Sequence, residues 1–471
     1  MLTNFFRFGR RQLHTIISRE IIKPSSPTPP HPRVYNLSEL DLLNTKAYMP
    51  LILFYPNANH NHSLSDDEKG KLLKKSLSQS LTRYYPFAGK FSTNRTYIDC
   101  NDNGVVFVEA TNDNQLDTFQ RMSAHDDTLD QLFADGVRWY NNISSTNVLA
   151  IQLNHFSCGG VAVAISLSHL IADGSSLGSF LSYWACIALH GSTNHKHVLE
   201  LEPYFINSVQ SPEPAPAPAP DSTTASSAPD RGTCPISDNN KTNFVGKKFV
   251  FPNSKLSDLK NQVAVEVATN GSALPKNVYP TRIEVLTSLI YKTATAAATK
   301  RTGCFKPYYL LFMFNMRDKF VKKLPQTTIG NFVLFVMIPS IHRSETASLA
   351  TIVTQLKKEK LQVEGIENVQ QVVENVKSLR AKLENPDLEN FAKGSYWCSS
   401  FCGFPFNKLD FGWGKPMGIT LALNTKNPKK NGFVLMDTPF GDGIEAFVTL
   451  EKECMDIFEN DKELLSFCQI N

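Results

Sequence analysis

Strand-like and helix-like segments alternate along the whole 471-residue chain, which predicts an α/β (α+β) fold built from sheet-and-helix layers. Two further observations divide that fold in two. The length exceeds what a single hydrophobic core serves. A proline-rich tract near the middle, Ser211-Pro-Glu-Pro-Ala-Pro-Ala-Pro-Ala-Pro220, separates halves of about equal size. Alternating Ala-Pro favours extended polyproline II and builds no core. The tract and the Ser/Thr/Ala/Asp-rich residues after it therefore read as an exposed crossover linker, in preference to a ligand for a proline-recognising domain.

The elements of the first half follow in order. Thr15 to Ile22 reads as a strand, and so does apolar Tyr48 to Tyr55, stopped by Pro56. Asp67 to Arg83 is helical, with Leu72, Leu73, Leu77 and Leu81 on one stripe. Tyr97 to Cys100 and Val105 to Val108 flank Asn101-Asp-Asn-Gly104, whose turn residues accept positive φ, so a hairpin is expected. Val148 to Asn154 alternates as a half-buried strand, Val161 to Leu167 reads as a fully buried one, and Ser175 to Leu189 as an apolar, aromatic helix.

The second half repeats the pattern in kind. Lys248 to Phe251 is a short strand. Thr281-Arg-Ile-Glu284 is a capping box that opens a helix with Val285, Leu286, Leu289 and Ile290 on its core face. Tyr309 to Phe314 and Phe332 to Ile338 read as buried strands. Leu349 to Leu361 and Val369 to Leu383 are amphipathic helices, the second carrying Val372, Val373, Val376, Leu379 and Leu383. Phe433 to Met436 and Ile444 to Leu450 are late strands.

Composition excludes several function classes. Hydrophobic content of 42% and charged content of 20% describe an ordinary globular protein. A net charge of +4 without a long Lys/Arg block gives no footprint for nucleic acid. No apolar run approaches the ~20 residues of a membrane span. Nine scattered cysteines, an odd number mostly in apolar contexts, are expected to be free thiols in a reducing compartment. Met1 to Arg19 carries four arginines and no acid before Glu20, the composition of an organelle presequence. The alternative is a basic extension ahead of the first strand, with the cytosol as the expected compartment.

Chemistry concentrates at Ser166-Leu-Ser-His169-Leu-Ile-Ala-Asp173-Gly174, which follows the buried run Val161 to Ile165. It puts an imidazole at a strand end and a carboxylate four residues later, at a reversal opened by Gly174. A rigidly held general base or a core histidine both fit that placement. Spacing alone decides little: His62-Ser-Leu-Ser-Asp66 repeats it between polar residues at a helix start, where a solvated loop is the reading. Gly174-Ser-Ser176-Leu-Gly178 also matches the nucleophile elbow of serine hydrolases. That motif requires Ser176 on the strand-to-helix turn, whereas the strand stops near Ser168, and no acid pairs with the downstream His342. Near the C-terminus, Leu409-Asp410-Phe-Gly412-Trp413-Gly414-Lys-Pro416 has two glycines that permit a tight path and a proline that ends it. Asp410 there either caps backbone amides or catalyses, and the loop reads as structural.

His-x-x-x-Asp-Gly in mid-chain with Asp-Phe-Gly-Trp-Gly near the C-terminus resembles the BAHD family of plant acyl-CoA-dependent acyltransferases, in its alkaloid-type branch. Supporting matches include Ile22-Lys-Pro-Ser-Ser-Pro-Thr-Pro29, Tyr85-Pro-Phe-Ala-Gly-Lys90, Asp99 to Gly104, Cys158-Gly-Gly160, Thr281 to Thr287, Asn315-Met-Arg317, Gly330-Asn331 and Asp442 to Ala446. The resemblance covers all but about the first 13 residues and the inflated linker. It divides the chain into an extension (1–13), an N-terminal domain (14–208), the linker (209–245) and a C-terminal domain (246–471).

The resemblance implies two chloramphenicol-acetyltransferase-like domains of mixed sheet and helices with a channel between them. His169 would sit mid-channel as general base, reached by acyl-CoA from one side and by a hydroxylated acceptor from the other. Asp173 would point away from the channel and pair with Arg317, a structural role shared by Gly174 and by the loop of Asp410, Gly412, Trp413 and Gly414. Alignment back from Asp410 makes Ser399 the candidate hydroxyl for positioning or for the thioester oxyanion. Phe401 departs from the family's usual Trp, and Gly403 stands where Arg or Lys is common. Lys247, Lys248 and Lys292 are cations that could meet CoA phosphates or be ordinary solvated lysines. Cys398 and Cys402 read as packing thiols, with no metal expected. The implied protein is a monomeric O-acyltransferase without a resident cofactor, moving acetyl from acetyl-CoA to an alkaloid or terpenoid. Its rivals are a catalytically weak CoA- or metabolite-binding protein of the same fold, and a serine hydrolase using Ser176.

Overall fold

The computed structural model describes residues 14–30, 33–44, 46–57, 64–122, 126–134, 147–191, 193, 195–206, 243–269, 279–306, 308–340, 348–384, 395–421 and 431–470. The extension 1–13, nearly all of the linker, His62 and His342 lie outside them. The first half supplies β1 (His14–Ile22), β2 (Tyr48–Tyr55), β3 (Val105–Asn112), β4 (Leu149–Phe156) and β5 (Val161–Ser168). It also supplies helices α1 (Asp66–Arg83) and α2 (Gly174–His190). The second half supplies β6 (Phe244–Pro252), β7 (Tyr309–Asn315), β8 (Val333–Pro339), β9 (Tyr396–Ser400), β10 (Gly418–Leu421), β11 (Gly432–Asp437), β12 (Gly443–Glu451) and β13 (Gln469–Ile470). Its helices include α3 (Asn253–Thr269), α4 (Arg282–Thr302), α5 (Leu349–Leu361) and α6 (Val369–Glu384).

Two mixed sheets result, one per half. The first has the order β1-β3-β4-β5-β2-β10 and the second β8-β7-β9-β11-β12-β6-β13. Apolar α2 buries Phe180, Leu181, Tyr183 and Trp184 completely against the first sheet's core. Such aromatic burial supplies much of the stability of a core this size, about 3–5 kcal/mol for each large ring removed. Capping boxes open α1 and α4, and the sequence reading named only the second of them. Ser65 and Glu68 cap α1, and Thr281 and Glu284 cap α4. Buried Glu284 is further held by Lys357 and Lys360 on α5, at 3.1 and 2.8 Å. Among the described residues no helix is long and apolar enough to cross a membrane, and the eight of the nine cysteines that lie among them are free.

Four features differ from the sequence reading. The expected hairpin at 101–104 does not form: residues 97–99 pair with 34–36 and 90–91 in a small separate sheet, whereas β3 joins the first large sheet. Asp102 and Gly104 do take positive φ, of 57° and 87°. The Asp102 carboxylate, however, accepts from Thr28 N and Oγ1 at 2.9 and 2.7 Å, so the turn hands the chain from one sheet to the other. β4, expected half-buried, is buried throughout. Its polar Gln152 and Asn154 donate to the carbonyls of Gln131 and Leu132 at 2.8 and 3.0 Å, which replaces the water the alternation suggested. β7 and β8, expected buried, alternate buried and half-buried residues. Helix α3 was not anticipated, although Leu256, Leu259 and Val263 carry its buried stripe.

The chain division also differs in one respect. The segment 405–421 belongs by sequence to the second domain, yet β10 pairs with β2 and extends the first sheet. Phe411 from the same segment is fully buried in the first core, against Trp184 with centroids 4.8 Å apart.

Candidate active site

His169 lies one residue past the end of β5, where Ser168 pairs with Tyr48. Its amide donates to the Ala47 carbonyl at 2.8 Å. Leu170, Ile171 and Ala172 are buried, and they carry the chain to Asp173, the N-cap of α2, whose Oδ1 accepts from Ser176 N at 2.8 Å. The four-residue spacing is thus the distance from a strand end to a helix cap. His169 itself is half-buried.

Asp173 reaches toward the second half. It forms a forked ion pair with Arg317, Nη1 to Oδ2 at 2.8 Å and Nη2 to Oδ1 at 3.0 Å, with both side chains essentially inaccessible. Phe332 N donates to Oδ2 at 3.0 Å. Arg317 spends its remaining donors on Asn315 Oδ1 and on the Thr328 and Gly330 carbonyls, and lies over the Phe332 ring. Burial opposes ionisation of Asp173, but the Arg317 charge and hydrogen bonds outweigh it and hold the carboxyl below its usual 3.8. Its acceptor sites are filled by this set, which leaves it a tether between the halves.

Ser176 is fully buried in the first turn of α2. Its hydroxyl donates to the Gly330 carbonyl and accepts from Arg317 Nη2, both at 3.1 Å. It has neither the elbow position nor the exposure that a hydrolase nucleophile needs.

Gly174 does not open a left-handed turn. It is the first residue of α2, and what it allows is close approach: an added Cβ would stand 2.4 Å from Phe401 Cε1 and 2.9 Å from Phe404 Cε2. Phe401 thus packs directly on the His169–Gly174 segment. On β9, Cys398 faces the second core, whereas Trp397 and Phe401 pack against the first. Strand alternation then places Ser399 on the face turned toward the first half. Pairing sets Ser399 beside Met313, and Met313 beside Phe335. Leu311 and Met337 form the adjacent row, so half-buried apolar side chains spread from Ser399 across that face.

The Asp410 loop is a self-capped turn. Asp410 Oδ1 accepts from Gly412 N and Gly414 N at 2.8 and 3.0 Å, and the two glycines have φ of 108° and 105°. Trp413 stacks with Phe411 and meets Tyr55 edge-on. The lysines considered for CoA phosphates are all ion-paired: Lys247 with Glu459, Lys248 with Glu445, and Lys292 with Glu463.

Sequence reasoning missed the groups nearest the imidazole. His169 Nδ1 lies 3.1 Å from Asn331 Oδ1, and Asn331 Nδ2 donates to the His169 carbonyl at 2.8 Å. Asn331 is in turn bonded to buried Asp41, through its backbone N and its Nδ2, both at 2.9 Å. Asn331 had only a motif match to mark it, and Asp41 has no local signal beyond the Ser38–Asp41 capping box. Burial, opposed by backbone hydrogen bonding at His169 and Ala172, the Asp173 charge and the Asn331 bond, holds the His169 pKa below 6.5. The ring is therefore neutral near physiological pH and able to accept a proton.

The chain resembles known proteins over nearly its whole length. The Transferase family matches residues 14–465. The chain is 34% identical to deacetylvindoline O-acetyltransferase of Catharanthus roseus over 96% of its length and 97% of that protein's. Its structure resembles vinorine synthase at 29% identity, with 97% and 99% of the two chains covered and a TM-score of 0.71. The Fusarium sporotrichioides TRI101 structure, complexed with coenzyme A and T-2, shares the fold at 15% identity, with 93% and 99% covered and a TM-score of 0.66.

Proposed function

This chain belongs to the BAHD transferase family and is an acyltransferase, and on that premise we propose that it moves an acyl group, acetyl foremost, from acyl-CoA to a hydroxyl of a bulky apolar specialised metabolite, an alkaloid or terpenoid. His169 is the general base of a direct ternary-complex reaction. The carrying observation is the place of His169: a neutral, half-buried imidazole at the seam where Asp173 of one half is tied to Arg317 of the other. The imidazole nitrogen not bonded to Asn331 takes the acceptor's hydroxyl proton as the oxygen attacks the thioester carbonyl carbon. The tetrahedral oxyanion collapses, the C–S bond breaks, and the departing CoA thiolate receives the proton. An ester and free CoA-SH result.

Ser399 supplies the hydroxyl that meets the oxyanion in this reading, supported by its position on the sheet face that carries Phe401 toward Gly174. The apolar rows of Leu311, Met313, Phe335 and Met337 on that face support an apolar acceptor. The acyl donor has a counterpart in the coenzyme A of the TRI101 complex, and the acetyl choice in the deacetylvindoline relative. The enzyme works in this reading as a cytosolic monomer without metal or resident cofactor.

The test is incubation with acetyl-CoA and a panel of hydroxylated alkaloids and terpenoids, followed by release of free thiol. His169→Ala lowers transfer by about 10²-fold or more, the contribution of a positioned general base, with an unchanged unfolding midpoint. Full transfer by this variant overturns the assignment. Coenzyme A binding by the wild type with no thiol released from any alcohol supports the binding-protein alternative instead.

A further inference from the structure

We propose that Gly432 sets the width of an apolar pocket for the acceptor's polycyclic skeleton by parking the Trp397 indole beside it. The two are then specificity-determining positions, Trp397 as the pocket's side wall and Gly432 as the residue that holds this wall back. The inference deepens the acyltransfer reading and rests on it for the identity of the occupant.

The face of the second sheet that looks toward the first half is divided in two. On β11, Val434 and Met436 are 2% exposed and belong to the first core, and Phe447 of β12 packs against it. On β7 and β8 the same face is open. Leu310, Phe312, Val336 and Ile338 fill the second core, so alternation turns Leu311, Met313, Phe335 and Met337 the other way. All four are half-buried, and among the described residues none of them packs into any of the apolar cores. Apolar side chains left half-covered at the seam between two halves outline a pocket.

Pairing gives the pocket its direction and size. Val333 lies two residues past Asn331, whose amide bonds the His169 carbonyl. Beyond it come the row of Phe335, Met313 and Ser399 and then the row of Met337, Leu311 and Trp397. Rows two residues apart are separated by about 7 Å and neighbouring strands by about 5 Å, so the floor runs roughly 13 Å from Val333 and spans roughly 10 Å from β8 to β9. That is the footprint of a fused polycyclic skeleton, wider than a single chain needs. An acetyl group held at Ser399 does not reach the far row, which leaves the floor to the acceptor. Two methionines suit such a floor, since their unbranched side chains adapt to differing ring outlines.

Trp397 ends the far row on β9, beside Gly432 of β11. An added Cβ on Gly432 would overlap Nε1, Cε2 and Cδ1 of the indole. The indole therefore lies across Gly432, toward the closed part of the face and away from Leu311. Glycine permits this close approach to the backbone. A larger residue at 432 displaces the ring from β11, and the open space is over Leu311 and Met337.

Titration of the full-length protein with N-phenyl-1-naphthylamine, a neutral apolar fluorophore, reads the pocket without any transfer, and neutral polycyclic alcohols then displace the probe. Gly432→Ala should weaken probe and alcohols by roughly 10-fold, the loss seen when a methylene no longer fits a hydrophobic pocket. Under turnover the same loss appears in KM for the alcohol, while KM for acetyl-CoA is kept. Gly432→Ala/Trp397→Ala should restore binding because the displaced ring is gone, a rescue that a merely structural glycine would not show. Should Gly432→Ala not fold, Leu311→Trp fills the same space from the floor and should give the same loss. Unchanged probe affinity in either folded single variant, or no rescue in the double variant, overturns the proposal. A loss in KM for acetyl-CoA instead of the alcohol also overturns it, by placing the acyl donor on this floor. A probe displaced by alcohols that are never acylated upholds the pocket while refuting the acyltransfer reading of its occupant.

Discussion

Replacing Asp173 by Asn separates a structural carboxylate from a catalytic one. The substitution keeps the shape but removes the charge from a pair in which Arg317 is 0% and Asp173 1% exposed. The new amide also turns an N–H₂ toward one of the two donor sets, either Arg317 Nη2 with Ser176 N or Arg317 Nη1 with Phe332 N. A buried guanidinium left without its counter-ion costs about 3–5 kcal/mol. Against the 5–15 kcal/mol that typically holds a folded protein, that is about a fifth or more of the total. With a urea slope of about 3 kcal/mol per molar, the unfolding midpoint falls by roughly 1–2 M. The sign with pH follows from the lowered carboxyl. Its stabilisation is present above the unfolded value of 3.8 and is lost as pH falls through the lower folded value. Wild type and variant therefore converge only in strong acid. Adding Arg317→Leu to Asp173→Asn should recover part of the loss, because the unpaired charge leaves with it. The assay is urea unfolding by intrinsic fluorescence, with kcat/KM measured on the same preparations and normalised to the folded fraction. An unchanged midpoint with a large loss of kcat/KM would refute the tether and make Asp173 part of the chemistry.

Gly174→Ala forces a methyl to within 2.4 Å of Phe401 Cε1, so it should destabilise by about 1–3 kcal/mol, as overpacking does. Thermal unfolding of Gly174→Ala/Phe401→Leu should recover most of that, and no recovery would mean the constraint lies in the backbone. Burial lowers the His169 pKa from 6.5, so the acid limb of kcat/KM, where the base form is lost on protonation, should lie below pH 6.5. A limb at or above that value in the free enzyme contradicts the buried ring.

Elements with strong periodicity or caps were legible without coordinates. The α1 leucine stripe, the α4 capping box, the buried run ending at Ser168 and the helix after Gly174 stand where their residues place them, because each depends on neighbours within four or five positions. The hairpin at 101–104 failed for the complementary reason. Its residues do turn, but the partner of Asp102 is Thr28, 74 residues away, and no local pattern names it. β4 failed similarly, since carbonyls of residues 131 and 132 satisfy its polar side chains in place of water.

By itself, the sequence determined two sheet-bearing halves, the strand end that presents His169, and the family whose motifs it carries. Tertiary structure alone decided what surrounds that histidine. The Asp173–Arg317 pair, 144 positions apart, was expected only from the family resemblance, whereas Asn331 reaches His169 across 162 positions and Asp41 reaches Asn331 across 290 with no such expectation. Secondary structure follows from short-range periodicity, which a sequence displays directly. A buried polar network follows from which donors and acceptors meet once water is excluded, and that pairing exists only after the two halves have packed.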